Sequence, residues 1–339
     1  MKRIIFVLSI ISFSFPTFSQ GINDYIEKEI AAYDLSDFEG AIKNYKKALE
    51  INANSELANY EIALTYFAMQ NYKKAIEHGE TVVKMNGENL IPAYILVGSA
   101  LDNSGQTEES IKLFKKAIKK TEGHYLLYYN LGLNYYKIGD RENSQKSILG
   151  AIEMNPNHAT SHFVLGLIHD ELGNKVQSTL AFYYFLLLEP DSNRSSTALS
   201  ALNENLGKNV EQDPDKPNTI NISLNADTDS EFMAAELMLG MLQASAQTEE
   251  NADKTDDELF ESNTESYFTV LGELRDKNSE SVWWELYTEV FYEIAQSDYM
   301  LTFCKYITQS KNDDSKAWLK ENTIAVENMI EWLNDLSKN

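Results

Sequence analysis

The sequence predicts an all-α chain: helical pairs stacked into an α-solenoid, then a smaller helical region. Three observations predict it. Proline (6) and glycine (15) are scarce among 339 residues, and both disfavour helix interiors. Runs of β-branched residues are few. Most telling is an internal repeat. "IALTYFAMQN" at 62–71 is followed by "VGSALDNSGQ" at 97–106, "LGLNYYKIGD" at 131–140 and "LGLIHDELGN" at 165–174, with offsets of 35, 34 and 34 residues. A fixed period of this length marks a supersecondary unit that buries its apolar faces only by stacking.

The copies align column by column. A small residue recurs at Ala63, Gly98, Gly132 and Gly166. Three residues later stand Tyr66, Leu101, Tyr135 and His169. Turn pairs follow at Gln70-Asn71, Gly105-Gln106, Gly139-Asp140 and Gly173-Asn174, where glycine or asparagine closes a helix in the left-handed conformation. A second small column is Ala41, Ala75, Ser110, Ser144 and Ser178. Tyr45, Phe114, Ile148 and Phe182 come four later, with Gly79 the exception. Two copies close at Pro156 and Pro190.

This arrangement resembles the tetratricopeptide repeat, whose pattern is W-x2-L-G-x2-Y…A-x3-F…P. The resemblance covers roughly residues 22–192 as five copies. In the first copy only the second helix keeps the pattern, since Lys28 and Glu29 stand where an apolar-small pair belongs. The resemblance implies helix-turn-helix units whose first helices line a concave groove.

In chain order, residues 1–20 come first. "MKRIIFVLSIISFSFPTFSQ" has Lys2 and Arg3, an apolar run from Ile4 to Phe15, and small residues at Thr17 and Ser19. This is the layout of a secretory signal, and the run is shorter than the ~20 residues that span a bilayer. No cysteine follows to accept a lipid. The expectation is an exported protein, periplasmic or associated with the bacterial cell surface, that is not integral to a membrane after cleavage. With Cys304 as its one cysteine the chain has no internal disulfide.

Residues 21–206 are read as the repeat superhelix with a cap helix, "SNRSSTALSALNENL". Tyr128 and Tyr135 occupy the two aromatic columns and are expected in the core. The groove face is read one residue later in each copy. It comprises Tyr60, Leu64 and Phe67, then Ile95, Ser99 and Asp102, then Tyr129, Leu133 and Tyr136, then Phe163, Leu167 and Asp170, and the apolar members with Ser99 are the candidate binding residues. The family's clamp for a C-terminal carboxylate needs lysine, arginine and asparagine on that face, and only Asn130 is present. An apolar peptide, an amphipathic helix or another segment of this chain suits it better.

Residues 207–229 read as a charged linker in which "TINISLN" alternates like a short strand. Residues 230–339 read as an acidic helical domain. Its first helix, 230–247, is apolar nearly all round, as a buried core helix would be. Further helices are expected at 257–277, 281–297 and about 298–310, then two short ones. The helix "STLAFYYFLLL" at 178–188 is also apolar on every side, more than one cap helix covers, so the C-terminal domain is expected to dock there, pairing its 230–247 helix with this one.

The net charge of −23 disfavours nucleic acid as a partner. From 207 to 339 the chain carries 28 acidic and 10 basic residues, so most of the imbalance lies there. His158, His162 and His169 are spaced by four and seven, yet two of them fall in aromatic columns and read as packing residues. "NADKTDDELFES" lacks the central glycine and closing glutamate of a calcium loop. No nucleophile elbow, zinc motif or phosphate loop occurs. The expectation is no catalytic residue, no metal and no cofactor: a non-catalytic scaffold of the cell envelope that binds a protein or peptide. The alternative is an enzyme or regulatory domain in the C-terminal region, with the repeats as its targeting module.

Overall fold

The computed structural model describes residues 37–207, 210–212, 220–222, 232–246, 253–275, 279 and 281–336. The expected export signal, the first helix of the first repeat and most of the linker lie outside the described residues. The chain divides into two compact units, with the boundary between Met154 and Asn155.

The first unit contains α1 (Phe38–Ile51), α2 (Glu56–Ala68), α3 (Tyr72–Met85), α4 (Leu90–Asn103), α5 (Thr107–Lys120), α6 (Tyr125–Lys137) and α7 (Arg141–Met154). Each helix packs on the next, and α4 also packs on α2 and α6, so the first helices of successive repeats lie side by side. Helix starts are capped by side chains: Asp37, Ser55, Asn71 and Asp140 accept from Gly40, Ala58, Lys74 and Asn143 backbone N–H groups.

The turn chemistry repeats. After α6, Asp140 N–H bonds the Tyr135 carbonyl at 3.0 Å and Gly139 N–H bonds that of Tyr136 at 3.0 Å. Gly139 has φ +82° with nothing within 4 Å of an added Cβ, so backbone conformation alone asks for glycine there. After α2 the same bonds form around Gln70 at φ +58°.

The two small columns do separate jobs. A Cβ on Gly132 would sit 2.7 Å from Ile148 of α7, so the glycine sets how closely the helices approach. The serine of the second column closes that contact: Ser110 donates to the Gly98 carbonyl at 2.7 Å, and Ser144 to the Gly132 carbonyl at 2.8 Å. Asn134 adds a further link, its amide donating to Ser110 Oγ at 2.5 Å.

The second unit contains α8 (Ala159–Glu171), α9 (Lys175–Leu188) and α10 (Asn193–Gly207). A two-stranded antiparallel ladder follows, β1 (Val210–Gln212) with β2 (Ile220–Ile222), pairing Glu211 with Asn221. The "TINISLN" strand is thus present, and β1 is an element the alternation did not announce. Then come α11 (Met233–Ala246), α12 (Asp256–Leu274), a π-helical segment at Trp283–Thr288, α13 (Glu289–Ala295), α14 (Met300–Thr308), α15 (Asp313–Glu321) and α16 (Thr323–Leu336). The last is not short.

Helix α9 is the axis of this unit: every residue from Val176 to Leu187 is buried. Ser178 donates to the Gly166 carbonyl at 3.0 Å, as Ser110 and Ser144 do to their glycines, and Asn205 of α10 donates to Ser178 Oγ at 2.9 Å. On its other faces the Tyr183 ring lies 4.8 Å from Phe268 of α12, 5.8 Å from Phe291 of α13 and 6.2 Å from Phe303 of α14. Its hydroxyl shares a 2.9 Å hydrogen bond with Thr264. The compact unit therefore takes in the fifth repeat, whereas a boundary after residue 206 would leave it with the repeats before it.

Helix α11 departs from the expectation of all-round burial. Phe232, Ala235, Leu239 and Leu242 are buried, but among the described residues Met233, Leu237 and Met241 are 50%, 41% and 53% exposed. Its main contacts are with α10 and α12. The cover of α9 comes chiefly from aromatic rings of later helices, which bury more surface per residue than methionine and leucine do.

Candidate functional site: an apolar face on the first helices

In the first unit, Tyr60, Leu64 and Phe67 stand on α2, Ile95 and Ser99 on α4, and Tyr129, Leu133 and Tyr136 on α6. All eight are half-buried. Their neighbours Ile62, Ala63 and Tyr66, Leu96 and Val97, and Leu131 and Tyr135 are buried. Tyr60, Leu64 and Phe67 rest on a core containing Tyr45, Ile62 and Tyr66, while Ile95 rests on one containing Tyr94, Phe114 and Leu131. Tyr60, Leu64, Phe67 and Ile95 thus form an apolar layer resting on the core.

One expectation changes. Tyr128 is half-buried, with its ring against Gly150, while Leu127 is fully buried. One residue is 100° of helix, and that rotation gives the central position to leucine.

Polar groups at the margin are spoken for. The Arg141 guanidinium lies 4.0 Å over the Tyr136 ring and donates to the Tyr136 carbonyl at 2.6 Å. Lys137 pairs with Asp102 at 2.8 Å, and Thr107 donates to the same carboxylate at 2.7 Å. The Asn130 amide donates to the Leu126 carbonyl of its own helix at 2.7 Å. Burial, with the Glu61 charge beside it, raises the Tyr60 phenol above its ordinary range.

In the second unit, Phe163 and Leu167 are also half-buried. The Phe163 ring is already engaged, 4.9 Å from Phe185 and 5.9 Å below the Arg194 guanidinium. Arg194 is itself held by Glu189 at 2.5 Å and Thr160 at 3.0 Å.

The three histidines do not converge. His158 meets Ser161 at 2.8 Å. His162 is fully buried, stacked on Tyr184 at 4.4 Å. Its Nε2–H donates to the Pro156 carbonyl at 2.8 Å, which leaves Nδ1 to accept from the Tyr287 hydroxyl at 2.7 Å. His169 packs edge-on to Trp283 at 5.0 Å. Burial lowers the pKa of His162 and of His169 to about 3, so both are neutral packing residues. Tyr287 and Trp283 were not singled out as their partners, since nothing local to a sequence signals a contact across more than a hundred residues. Among the described residues, no group of three or more His, Cys, Asp or Glu is placed to hold a metal ion. Cys304 is buried, and its thiol is pushed well above the usual range by that burial.

Family profiles described as "TPR repeat" and "Tetratricopeptide repeat" match residues 31–70, and residues 57–89, 91–119 and 125–158. Residues 31–158 carry tetratricopeptide repeats. Proteins of this family are protein–protein interaction scaffolds that bind protein or peptide partners. Similar solved structures include TTC0263, a thermophilic protein from Thermus thermophilus, at 18% identity and a TM-score of 0.44, covering 54% of this chain and 99% of that one. MamA from Desulfovibrio magneticus RS-1 is 17% identical with a TM-score of 0.43, over 51% and 97% of the two chains. PilW, a type IV pilus biogenesis factor, is 17% identical with a TM-score of 0.45, over 56% and 93%. No curated protein matches this chain. Among the described residues, no helix is long and apolar enough to cross a membrane.

Proposed function

We propose that this tetratricopeptide-repeat protein is a non-catalytic scaffold or adaptor of the bacterial cell envelope, and that it takes a peptide or an amphipathic helix on the apolar face of α2, α4 and α6. The observation that carries the reading is the half-buried set Tyr60, Leu64, Phe67, Ile95, Tyr129, Leu133 and Tyr136 on three adjoining helices, apolar but for Ser99 beside them. An apolar layer with its margin charges already paired selects a ligand that brings apolar anchors. The envelope assignment rests on the basic, apolar and small-residue order of residues 1–20.

Two measurements test this. Intact mass of protein from an envelope fraction is expected to give a start near Gln20 or Gly21, and a retained Met1 rejects export. In pull-downs from envelope extracts, Tyr129→Ala with Tyr136→Ala is expected to lose the partner that the parent captures. Undiminished capture by that double variant rejects the face.

A further inference from the structure

Helix α5 carries lysine at 112, 115, 116, 119 and 120. At 100° per residue these fall within an arc of about 140°. All five are exposed, while Ile111, Phe114 and Ala117 on the opposite side are buried. The helix dipole explains Lys119 and Lys120 in the last turn, but not Lys112, Lys115 and Lys116. Glu108 and Glu109 occupy the first turn, yet among the described residues none of the five lysines makes an ion pair. Two are steadied from beneath, Lys115 lying 5.4 Å over the Tyr135 ring and Lys120 6.0 Å over that of Tyr94. Residues 37–154 carry 15 acidic and 14 basic side chains, so this stripe stands on an electrically balanced unit within a chain of net charge −23.

We propose that the exposed face of α5 docks an acidic polypeptide segment in extended conformation. Lys112, Lys116 and Lys120 succeed one another with a rise of about 6 Å per step, and same-side residues of an extended chain are about 6.6–6.8 Å apart. Carboxylates at alternate positions of such a segment therefore meet the lysines in step, with Lys115 and Lys119 as a second row. A planar anionic bilayer fits less well. The stripe is one helix wide, is bounded by Glu108 and Glu109 at one end and Glu122 at the other, and belongs to a chain whose net charge an anionic surface repels. The site lies on a second helix of the repeat, apart from the apolar face of the first helices, and does not depend on it.

The test uses the full chain and a fluorescein-labelled (Glu-Ser)4 peptide followed by anisotropy. Saturable binding with a Kd on the order of a millimolar or below is expected, since exposed ion pairs are individually weak. It is expected to weaken at least about fivefold between roughly 50 and 300 mM NaCl. A (Gln-Ser)4 peptide should not bind. Lys112→Gln with Lys116→Gln and Lys119→Gln should weaken binding at least about fivefold with helicity and melting unchanged, because exposed lysines add little to the fold. Tyr129→Ala with Tyr136→Ala should leave it unaltered. Absence of saturable binding, or equal binding by the lysine variant, overturns the proposal. So does lysine-dependent sedimentation with phosphatidylglycerol vesicles when the peptide is not bound, which assigns the stripe to a lipid surface.

Discussion

The hydroxyl of Tyr287 donates to Nδ1 of His162 at 2.7 Å, joining the π-helical segment to the first helix of the fifth repeat across 125 positions of the chain. Both side chains are fully buried. The imidazole has no third polar contact to fall back on, because Nε2–H is already given to the Pro156 carbonyl. Tyr287→Phe keeps the ring stacked on Trp283 and removes only the donor. The expected cost is about 1–3 kcal/mol, the penalty of a buried acceptor left unmet, read from urea unfolding of the second unit. A change below about 0.5 kcal/mol would show that the bond contributes nothing net.

Acid should loosen this unit. Burial sets the pKa of His162 and of His169 to about 3, and an unfolded histidine titrates near 6.5. Between those values the unfolded chain binds protons that the folded chain refuses. Stability is therefore full above about pH 6.5 and falls as pH falls toward 3, by about 2–3 kcal/mol per histidine at pH 4.5. His169→Phe removes one of the two titrating groups; it also deletes the 3.3 Å contact of Nδ1 with the Asn174 amide, a loss that does not vary with pH in this range, while phenylalanine can pack on Trp283. The difference in denaturation midpoint between variant and parent should grow in the variant's favour from pH 7 to pH 4.5. Parallel pH profiles would reject the account.

The two small columns should respond differently. Ser144→Ala deletes one hydrogen bond to the Gly132 carbonyl without adding bulk, for about 1 kcal/mol. Gly132→Ala forces a methyl against Ile148 and should cost more, about 1–3 kcal/mol. Thermal melts of the two variants order them, and the reverse order would mean that helix spacing is not set at Gly132.

Truncation separates the compact units from the repeat count. A chain ending at Gly207 keeps α9 but loses Phe268, Tyr287, Phe291 and Phe303 from around Tyr183 and Tyr184. Each large apolar side chain so uncovered forgoes about 1.5–3 kcal/mol. Size-exclusion chromatography should find the 21–207 fragment aggregated and the 21–154 fragment better behaved. A monomeric 21–207 fragment melting like the full chain would show that the later helices are dispensable to α9.

How far residues announce a structure depended here on how local the cause was. Gly139 and Ser144 could be placed in advance because a turn and a close helix contact each act within one repeat and recur at a constant spacing. The eight positions on α2, α4 and α6 were read from the same period, and their role in binding is the proposal made above. Tyr128 misled because aromatic identity outweighed helical phase in the reading, and Leu127 took the buried place. The surplus of apolar residues on α9 was visible, but not which helices would satisfy it. That choice is made by rings from α12 to α14, whose own sequences show no period. Likewise α11 looks buried by composition, yet a helix needs partners on every side to be so, and its residues say nothing of how many it has.

The closing helix of the array bears on how such a protein can lengthen. Asn205 of α10 reaches Ser178 as Asn134 of α6 reaches Ser110, so α10 offers the fifth repeat the same polar handshake that the first helix of a further copy would bring. The terminal position is thus occupied by a mimic of the missing neighbour. Duplications within the interior would find matching edges above and below, whereas a copy appended after α9 would have to evict α10 and the aromatic sheath around Tyr183. Growth or loss of repeats over evolutionary time is expected upstream of the fifth, with the last copy inherited as a fixture of the domain it anchors.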